Sequence, residues 1–153
     1  MKRKHVVLVG MACLWGAVAG LPAFAQSALD YRSIATASTI LYSGPSPSAR
    51  KLAVASRYYP VEVLLSSGAW SRVRDSSGEL AWVETKALSA QRMVLVTAAS
   101  ATLRQKPEAG APALAQLERN VVCEFIEHTP GWIKVRHRDG LTGYLPITEI
   151  WGV

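Results

Sequence analysis

Two short stretches of the sequence alternate a tryptophan with basic residues at a spacing of two. The seven residues are Trp70, Arg72, Arg74, Trp132, Lys134, Arg136 and Arg138. Residues two apart on an extended strand project from the same face of a sheet. An indole beside cations can stack on a sugar ring or a peptide while the cations meet carboxylates. The pattern predicts a binding surface for an anionic polymer, and the alternative is that the cations only cover the indole and solvate the outer strand face.

Three tyrosines extend this candidate ligand-binding surface, and all three lie in the first half of the chain. Tyr42, Tyr58 and Tyr59 have no aromatic counterpart in the second half, where the corresponding residues are Arg104, Asn120 and Val121. If only one half binds a ligand, we expect it to be the first half.

A cysteine and a histidine are the residue types that could support nucleophilic catalysis. Cys123 and His128 invite comparison with cysteine peptidases, whose nucleophile begins a helix. Cys123 instead lies within the alternating segment Val121 to Glu127, where a core side chain is expected. The sequence also lacks a metal-ligand cluster, a glycine-rich phosphate loop and a Gly-x-Ser-x-Gly elbow. We therefore predict that the protein is not an enzyme and that it uses no cofactor and no metal.

The first 25 residues have the pattern of an export signal. A basic start is followed by an apolar run from Val6 to Leu21, and Ala23-Phe24-Ala25 supplies a small-x-small cleavage site. The run is short for a membrane span and contains three glycines. We predict a helical signal peptide at residues 1–25, cleavage after Ala25, a periplasmic or secreted mature protein and no stable membrane anchor after cleavage.

The net charge depends strongly on that segment. The whole chain carries +6, but the signal contains three of the 17 Lys and Arg residues and none of the 11 Asp and Glu residues, which leaves +3 on residues 26–153. A charge this small, without a long basic run, does not predict nucleic-acid binding.

The mature sequence contains an internal repeat. A gapless shift of 62 positions places Trp70 on Trp132, Pro45 on Pro107 and Gly78 on Gly140. Apolar residues within each copy recur with a period of two, and Ser-Gly, Asp-Gly and Pro-Gly pairs separate the short apolar runs. This pattern predicts an all-β fold with two tandem small barrels of about five short strands each.

The order of motifs resembles the Src-homology-3 fold in its bacterial form. Leu103 and Pro107 precede Gly131-Trp132-Ile133-Lys134-Val135-Arg136, then Asp139-Gly140 and Gly143-Tyr144-Leu145-Pro146. Tandem copies behind a signal peptide are similar to an exported bacterial family of unknown function. The resemblance implies SH3-like barrels at residues 34–88 and 94–153, with an N-terminal segment at 26–33 and a linker at 89–93.

Ligand recognition by eukaryotic members of this fold is only partly reproduced in the sequence. Trp132 and Pro146 keep two positions of the polyproline groove, but its tyrosine position is Glu149 in the second copy and Ala87 in the first. We expect instead weak binding to cell-wall glycan or stem peptide, that is to peptidoglycan, by a monomer. The alternative is an adaptor or scaffold that binds an envelope protein.

Overall fold

The computed structural model describes residues 29–153 of the 153-residue chain. The predicted signal peptide and its cleavage site lie outside the described residues. Within residues 29–153, no helix is long and apolar enough to cross a membrane.

Barrel 1 is one antiparallel sheet of seven strands. The strands are β1 (Asp30–Ile34), β2 (Ser38–Tyr42), β3 (Lys51–Ser56), β4 (Pro60–Ser67), β5 (Trp70–Arg74), β6 (Leu80–Glu84) and β7 (Leu88–Ser89). Their spatial order is β3-β2-β6-β5-β4-β1-β7, and a 3-10 turn at Thr85–Ala87 connects β6 to β7.

Barrel 2 repeats this arrangement strand for strand. The strands are β8 (Met93–Val96), β9 (Ser100–Arg104), β10 (Ala113–Glu118), β11 (Val122–Thr129), β12 (Trp132–Arg136), β13 (Thr142–Pro146) and β14 (Ile150–Trp151). Their spatial order is β10-β9-β13-β12-β11-β8-β14, and a 3-10 turn at Ile147–Glu149 precedes β14. The structure confirms an all-β fold of two tandem SH3-like units. Each sheet has seven strands rather than about five, because a strand at the start of each unit pairs with a two-residue strand at its end.

The period of two in the sequence corresponds to one buried face on each strand. The buried cores are Ile34, Leu41, Ala55, Val61, Val73, Ala81, Val83 and Ala87 in barrel 1, and Val94, Val96, Ala101, Leu103, Leu117, Cys123, Ile133, Val135, Leu145 and Ile150 in barrel 2. Three of the eight core residues of barrel 1 are alanines, so its core is the smaller of the two. A small core stabilises a domain weakly on its own, and contact with a second domain offsets this.

The repeat extends to the irregularities of the sheets. The pairing of β4 with β5 shifts register between Val63 and Leu65, and that of β11 with β12 shifts between Phe125 and Glu127. A β-bulge of this kind bends its strand and increases the twist. Both sheets therefore curve around their cores at equivalent places.

The linker and the C-terminus join the two barrels. Arg92 places its guanidinium 4.1 Å from the ring centre of Phe125 and donates from Nη2 to the carbonyl of Gly152 at 3.2 Å. Tyr31 of barrel 1 meets Trp151 of barrel 2 edge to face, with ring centres 5.3 Å apart. Burial raises the pKa of the Tyr31 phenol, and the nearby carboxylate of Glu62 adds to the shift. The guanidinium of Arg92 also lies 5.8 Å from the ring centre of Tyr31, so aromatic and cation–π contacts hold the barrels together.

Candidate functional site

Burial along β5 and β12 follows the alternation that the sequence predicts. On β12, Ile133 and Val135 are fully buried, whereas Trp132 and Lys134 are half-buried and Arg136 is exposed. On β5, Ser71 and Val73 are buried between Trp70, Arg72 and Arg74. Both tryptophans and the cations Arg72, Arg74, Lys134 and Arg136 therefore lie on the outer faces of the two sheets. Arg138 does not continue this row as the sequence predicts, because β12 ends at Arg136 and Arg138 lies in the turn that follows.

Four residues on three neighbouring strands of barrel 1 form a continuous surface, here called the aromatic face: Tyr42, Trp70, Arg72 and Trp82. Tyr42 on β2 is paired with Trp82 on β6, and Trp82 is paired with Arg72 on β5. Directly paired residues on neighbouring strands project from the same side of a sheet. Tyr42 also meets Trp70 edge to face, with ring centres 5.4 Å apart and an interplanar angle of 89°. Three aromatic rings and one guanidinium are thus brought together.

The equivalent surface of barrel 2 has fewer rings and more cations. Arg104, Tyr144 and Lys134 are paired across β9, β13 and β12 in the same way. The ammonium of Lys134 lies 5.9 Å from the ring centre of Tyr144, and Arg104 donates to the carbonyl of Ala111 at 2.8 Å. Each of these two cations thus contacts its own barrel, Lys134 through a ring and Arg104 through a carbonyl group.

Two of the predicted ligand-binding arginines form ion pairs at equivalent positions. Arg74 donates from Nε and Nη2 to Oε2 of Glu62, at 2.9 and 2.6 Å. Arg136 donates from Nη1 to Glu124 at 3.3 Å. The first carboxylate is almost fully buried, with 5% of its side chain exposed, whereas 32% of the Glu124 side chain is exposed. Arg74 therefore has a structural role that its counterpart shares only weakly.

The other predicted ligand-binding residues separate into two places. Tyr59 is half-buried and packs against the core of barrel 1. Its hydroxyl lies 3.3 Å from the hydroxyl of Ser76. Tyr58, Arg136 and Arg138 instead line a cleft of about 600 Å³ between the barrels. The ten candidate residues therefore do not form one surface.

Sequence reasoning omitted several residues that these surfaces contain, among them Trp82 and Arg57. Trp82 belongs to the aromatic face, and its position between buried Ala81 and Val83 is the signal that could have identified it. Arg57 lines the cleft from a turn, where strand alternation does not predict which way a side chain points. A prediction based on strands alone could not have found it.

Cys123 is a core residue of β11. It is a free thiol that is 1% exposed, and burial raises its pKa to about 11. His128 is five residues along the same strand, and a strand rises about 3.3 Å per residue, so roughly 16 Å separates the two backbones. Cys123 and His128 therefore do not form a nucleophile–base pair.

We expect Cys123 to remain unreactive in the folded protein at pH 8, because the thiolate is the reactive species and burial disfavours it. A thiol-specific chromogenic disulfide should label the native protein much more slowly than the denatured protein. The raised pKa also predicts that folding stability falls as the pH rises from the unfolded value of 9.0 towards about 11. Equal labelling rates for the native and denatured protein would contradict the assignment of this residue to the core.

Titratable residues outside the core form pairs rather than clusters. Nδ1 of His137 lies 2.8 Å from Asp139, and the pKa of Asp139 is lowered first by the backbone N–H of Leu141 and then by this histidine. In the part of the chain that the structure describes, no group of three or more His, Cys, Asp or Glu residues could hold a metal ion.

Comparison with protein families finds two matches along the chain. A model described as a bacterial SH3 domain matches residues 97–152, and a second model with the same description matches residues 37–89. The comparison with curated proteins gave no match.

Comparison with solved structures finds several similar chains, among them three larger proteins. NlpC2 and NlpC1 from Trichomonas vaginalis are each 15% identical, with TM-scores of 0.38 and 0.39, over 81% and 84% of this chain and 48% and 47% of theirs. An NlpC/P60 family protein from Bacillus cereus is 16% identical, with a TM-score of 0.36, over 80% of this chain and 56% of its own. The chain thus spans about half the length of these structures.

Proposed function

Because the chain is a tandem pair of bacterial SH3 domains, we propose that it is an exported, non-catalytic binding module of the cell envelope. Its ligand is the cell wall, which it binds weakly through the glycan or the stem peptide of peptidoglycan. The aromatic face of barrel 1 is the contact surface.

The observation that supports this proposal is the grouping of Tyr42, Trp70 and Trp82 around Arg72. Flat aromatic rings stack on the apolar faces of sugar rings, and a neighbouring guanidinium can pair with a carboxylate. All four side chains are partly accessible, and Arg72 forms no ion pair with a carboxylate in residues 29–153. The equivalent face of barrel 2 offers two rings rather than three, and its two cations contact the ring of Tyr144 and the carbonyl of Ala111.

We expect the double variant Tyr42→Arg/Trp82→Tyr to bind purified peptidoglycan about tenfold more weakly than the wild type, since a stacking or cation–π contact contributes on the order of 1 kcal/mol. These substitutions install the residues that barrel 2 has at positions 104 and 144, so the fold has already accepted them in an equivalent place. The measurement is the depletion of purified protein by sedimented peptidoglycan over a concentration series.

Trp132→Ala provides the matched control in barrel 2. We expect this variant to sediment with peptidoglycan as the wild type does, provided that its thermal melt remains cooperative. Equal sedimentation of the wild type and the Tyr42→Arg/Trp82→Tyr variant would remove the aromatic face from consideration.

The exposed edge of barrel 1 supports a second candidate function, that of an adaptor for an envelope protein. Among residues 29–153, β3 lies at the end of the sheet and pairs with β2 alone, and it exposes Leu52 and Val54 at 42% and 69%. A free strand edge with apolar side chains can accept a further strand from another protein. Crosslinking in cells that captures one stoichiometric protein, and loses it in a Val54→Lys variant, would favour this function over wall binding.

A further inference from the structure

A cleft of about 600 Å³ lies between the two barrels and shares no lining residue with the aromatic face. Barrel 1 contributes Arg57 and Tyr58 from the turn after β3. The linker contributes Gln91, and barrel 2 contributes Asn120, Arg136 and Arg138 among others. Neither barrel forms this inter-barrel cleft alone, so it exists because the aromatic and cation–π contacts of the junction hold the barrels together.

The charge on the walls of the inter-barrel cleft is positive. Three arginines face one carboxylate, Glu124, and that carboxylate already accepts from Arg136 at 3.3 Å and from Gln91 at 3.4 Å. Neither Arg57 nor Arg138 forms an ion pair with any carboxylate of residues 29–153. Arg57 is nevertheless held in place, because its Nε donates to the carbonyl of Ala35 at 3.1 Å. Both guanidinium groups therefore lack a carboxylate partner among residues 29–153 and can pair with an anion.

Tyr58 has an unusual backbone conformation at the edge of this cleft. Its φ is 69°, in the left-handed region, which a bulky side chain rarely adopts. The turn imposes this conformation, because the N–H of Tyr58 donates to the carbonyl of Ile34 at 2.9 Å. Barrel 2 has the same turn with Asn120, also at a φ of 69°, and asparagine tolerates this region well.

Packing of the Tyr58 ring in the core of barrel 1 does not offset this backbone strain. The residue is 46% exposed and is not a member of the hydrophobic cluster of barrel 1, whereas its neighbour Tyr59 packs against that cluster. Strained residues that persist without a packing role are found preferentially at ligand sites. The ring of Tyr58 therefore presents an accessible aromatic surface beside the two available guanidinium groups.

We propose that the inter-barrel cleft binds a small ligand that carries two carboxylates. Arg57 pairs with one carboxylate from the side of barrel 1, and Arg138 pairs with the other from the side of barrel 2. Tyr58 packs against the segment between them. Since one ligand spans both barrels, its binding also stabilises their junction. Acidic peptides and uronic-acid sugars share this chemistry.

The test is a nuclear magnetic resonance titration of the purified protein at low ionic strength with two probes. One probe is the tripeptide Glu-Gly-Glu and the other is digalacturonic acid, and the uncharged controls are Gln-Gly-Gln and the methyl ester of the disaccharide. We expect at least one acidic probe to shift the signals of Tyr58 and Gly140, and we expect its uncharged control to shift neither. Response to the peptide alone or to the disaccharide alone supports the proposal and identifies the source of the carboxylates. No response to either acidic probe at millimolar concentration would overturn the proposal.

Three variants assign the binding to the named residues. Arg57→Gln and Arg138→Gln should each weaken the binding about tenfold, because each removes one charge-assisted hydrogen-bonded pair. Arg119→Gln is the matched control, since Arg119 occupies the position of Arg57 in barrel 2, is exposed and does not line the cleft.

Tyr58→Asn should weaken the binding while the melting temperature stays the same or rises, because asparagine relieves the backbone strain. An unchanged affinity in Arg57→Gln and Arg138→Gln would refute the site even if the aromatic face binds peptidoglycan.

Discussion

Replacement of Gly143 with alanine is expected to destabilise barrel 2 by about 2–3 kcal/mol, because the added methyl group has no room. A Cβ at this position would lie 2.7 Å from the backbone carbonyl oxygen of Arg104 and 2.8 Å from Cγ of Leu103. The carbonyl belongs to β9, the neighbouring strand, and Leu103 is a fully buried core residue. Relief of the clash would have to move the strand pairing or the core.

The measurement is the urea midpoint of unfolding, followed by tryptophan fluorescence. Gly110→Ala is the control, since a Cβ there meets nothing within 4 Å, and we expect its midpoint to match that of the wild type. The repeat supplies an internal comparison, because Ala81 holds the equivalent position in barrel 1 and is accommodated there. Identical midpoints for Gly143→Ala and Gly110→Ala would show that the close approach of β9 and β13 is not a constraint.

Replacement of Arg74 with alanine is expected to lower the free energy of unfolding of barrel 1 by about 2–3 kcal/mol. The substitution leaves the carboxylate of Glu62 without its partner in a place where only 5% of that side chain is exposed. Removing one member of a buried pair leaves an uncompensated charge, which destabilises a protein more than the intact pair stabilises it. Breaking a fully buried pair costs about 3–5 kcal/mol. The smaller value expected here follows from the 44% exposure of the Arg74 side chain.

The second barrel again provides the control. Arg136→Ala breaks the equivalent pair with Glu124, where both side chains are more exposed, and should cost less than about 1 kcal/mol. A double variant, Glu62→Gln/Arg74→Met, should recover part of the loss because it removes the unpaired charge. If Arg74→Ala and Arg136→Ala shift the urea midpoint equally, burial of Glu62 does not have the effect assigned to it here.

Arg72 and Arg74 differ in their partners although both face outward on β5. Sequence alternation placed Arg72 and Arg74 on one outer face, and burial agrees with that placement. Alternation could not reveal that a buried carboxylate on the neighbouring strand, at a separation of 12 residues, holds one arginine and leaves its neighbour available. The distinction between a structural cation and a candidate binding cation depends on cross-strand register, which a bulge at Val63 and Leu65 shifts by one residue.

The fold itself was accessible from the sequence because its determinants are local and repeated. A period of two, turn residues at matching places and a gapless shift of 62 positions specify short antiparallel strands in two copies. Comparison of the two copies identifies the core positions, because an apolar residue that recurs at the same offset is one that the core of each barrel requires. The shift also matches the equivalent bulges and the left-handed turn residues of the two barrels.

Alternation along the chain predicts which residues of β5 and β12 face outward, that Cys123 belongs to the core and that the chain repeats one unit twice. Which of the outward residues meet depends on the three-dimensional arrangement of the strands and barrels. Tyr42, Trp70 and Trp82 come together because sheet pairing joins three strands that are distant along the chain. Arg57 and Arg138 face one cleft because of how the two barrels dock. Strand faces follow from side-chain alternation along one segment, whereas surfaces between strands and between barrels depend on long-range packing that no local pattern encodes.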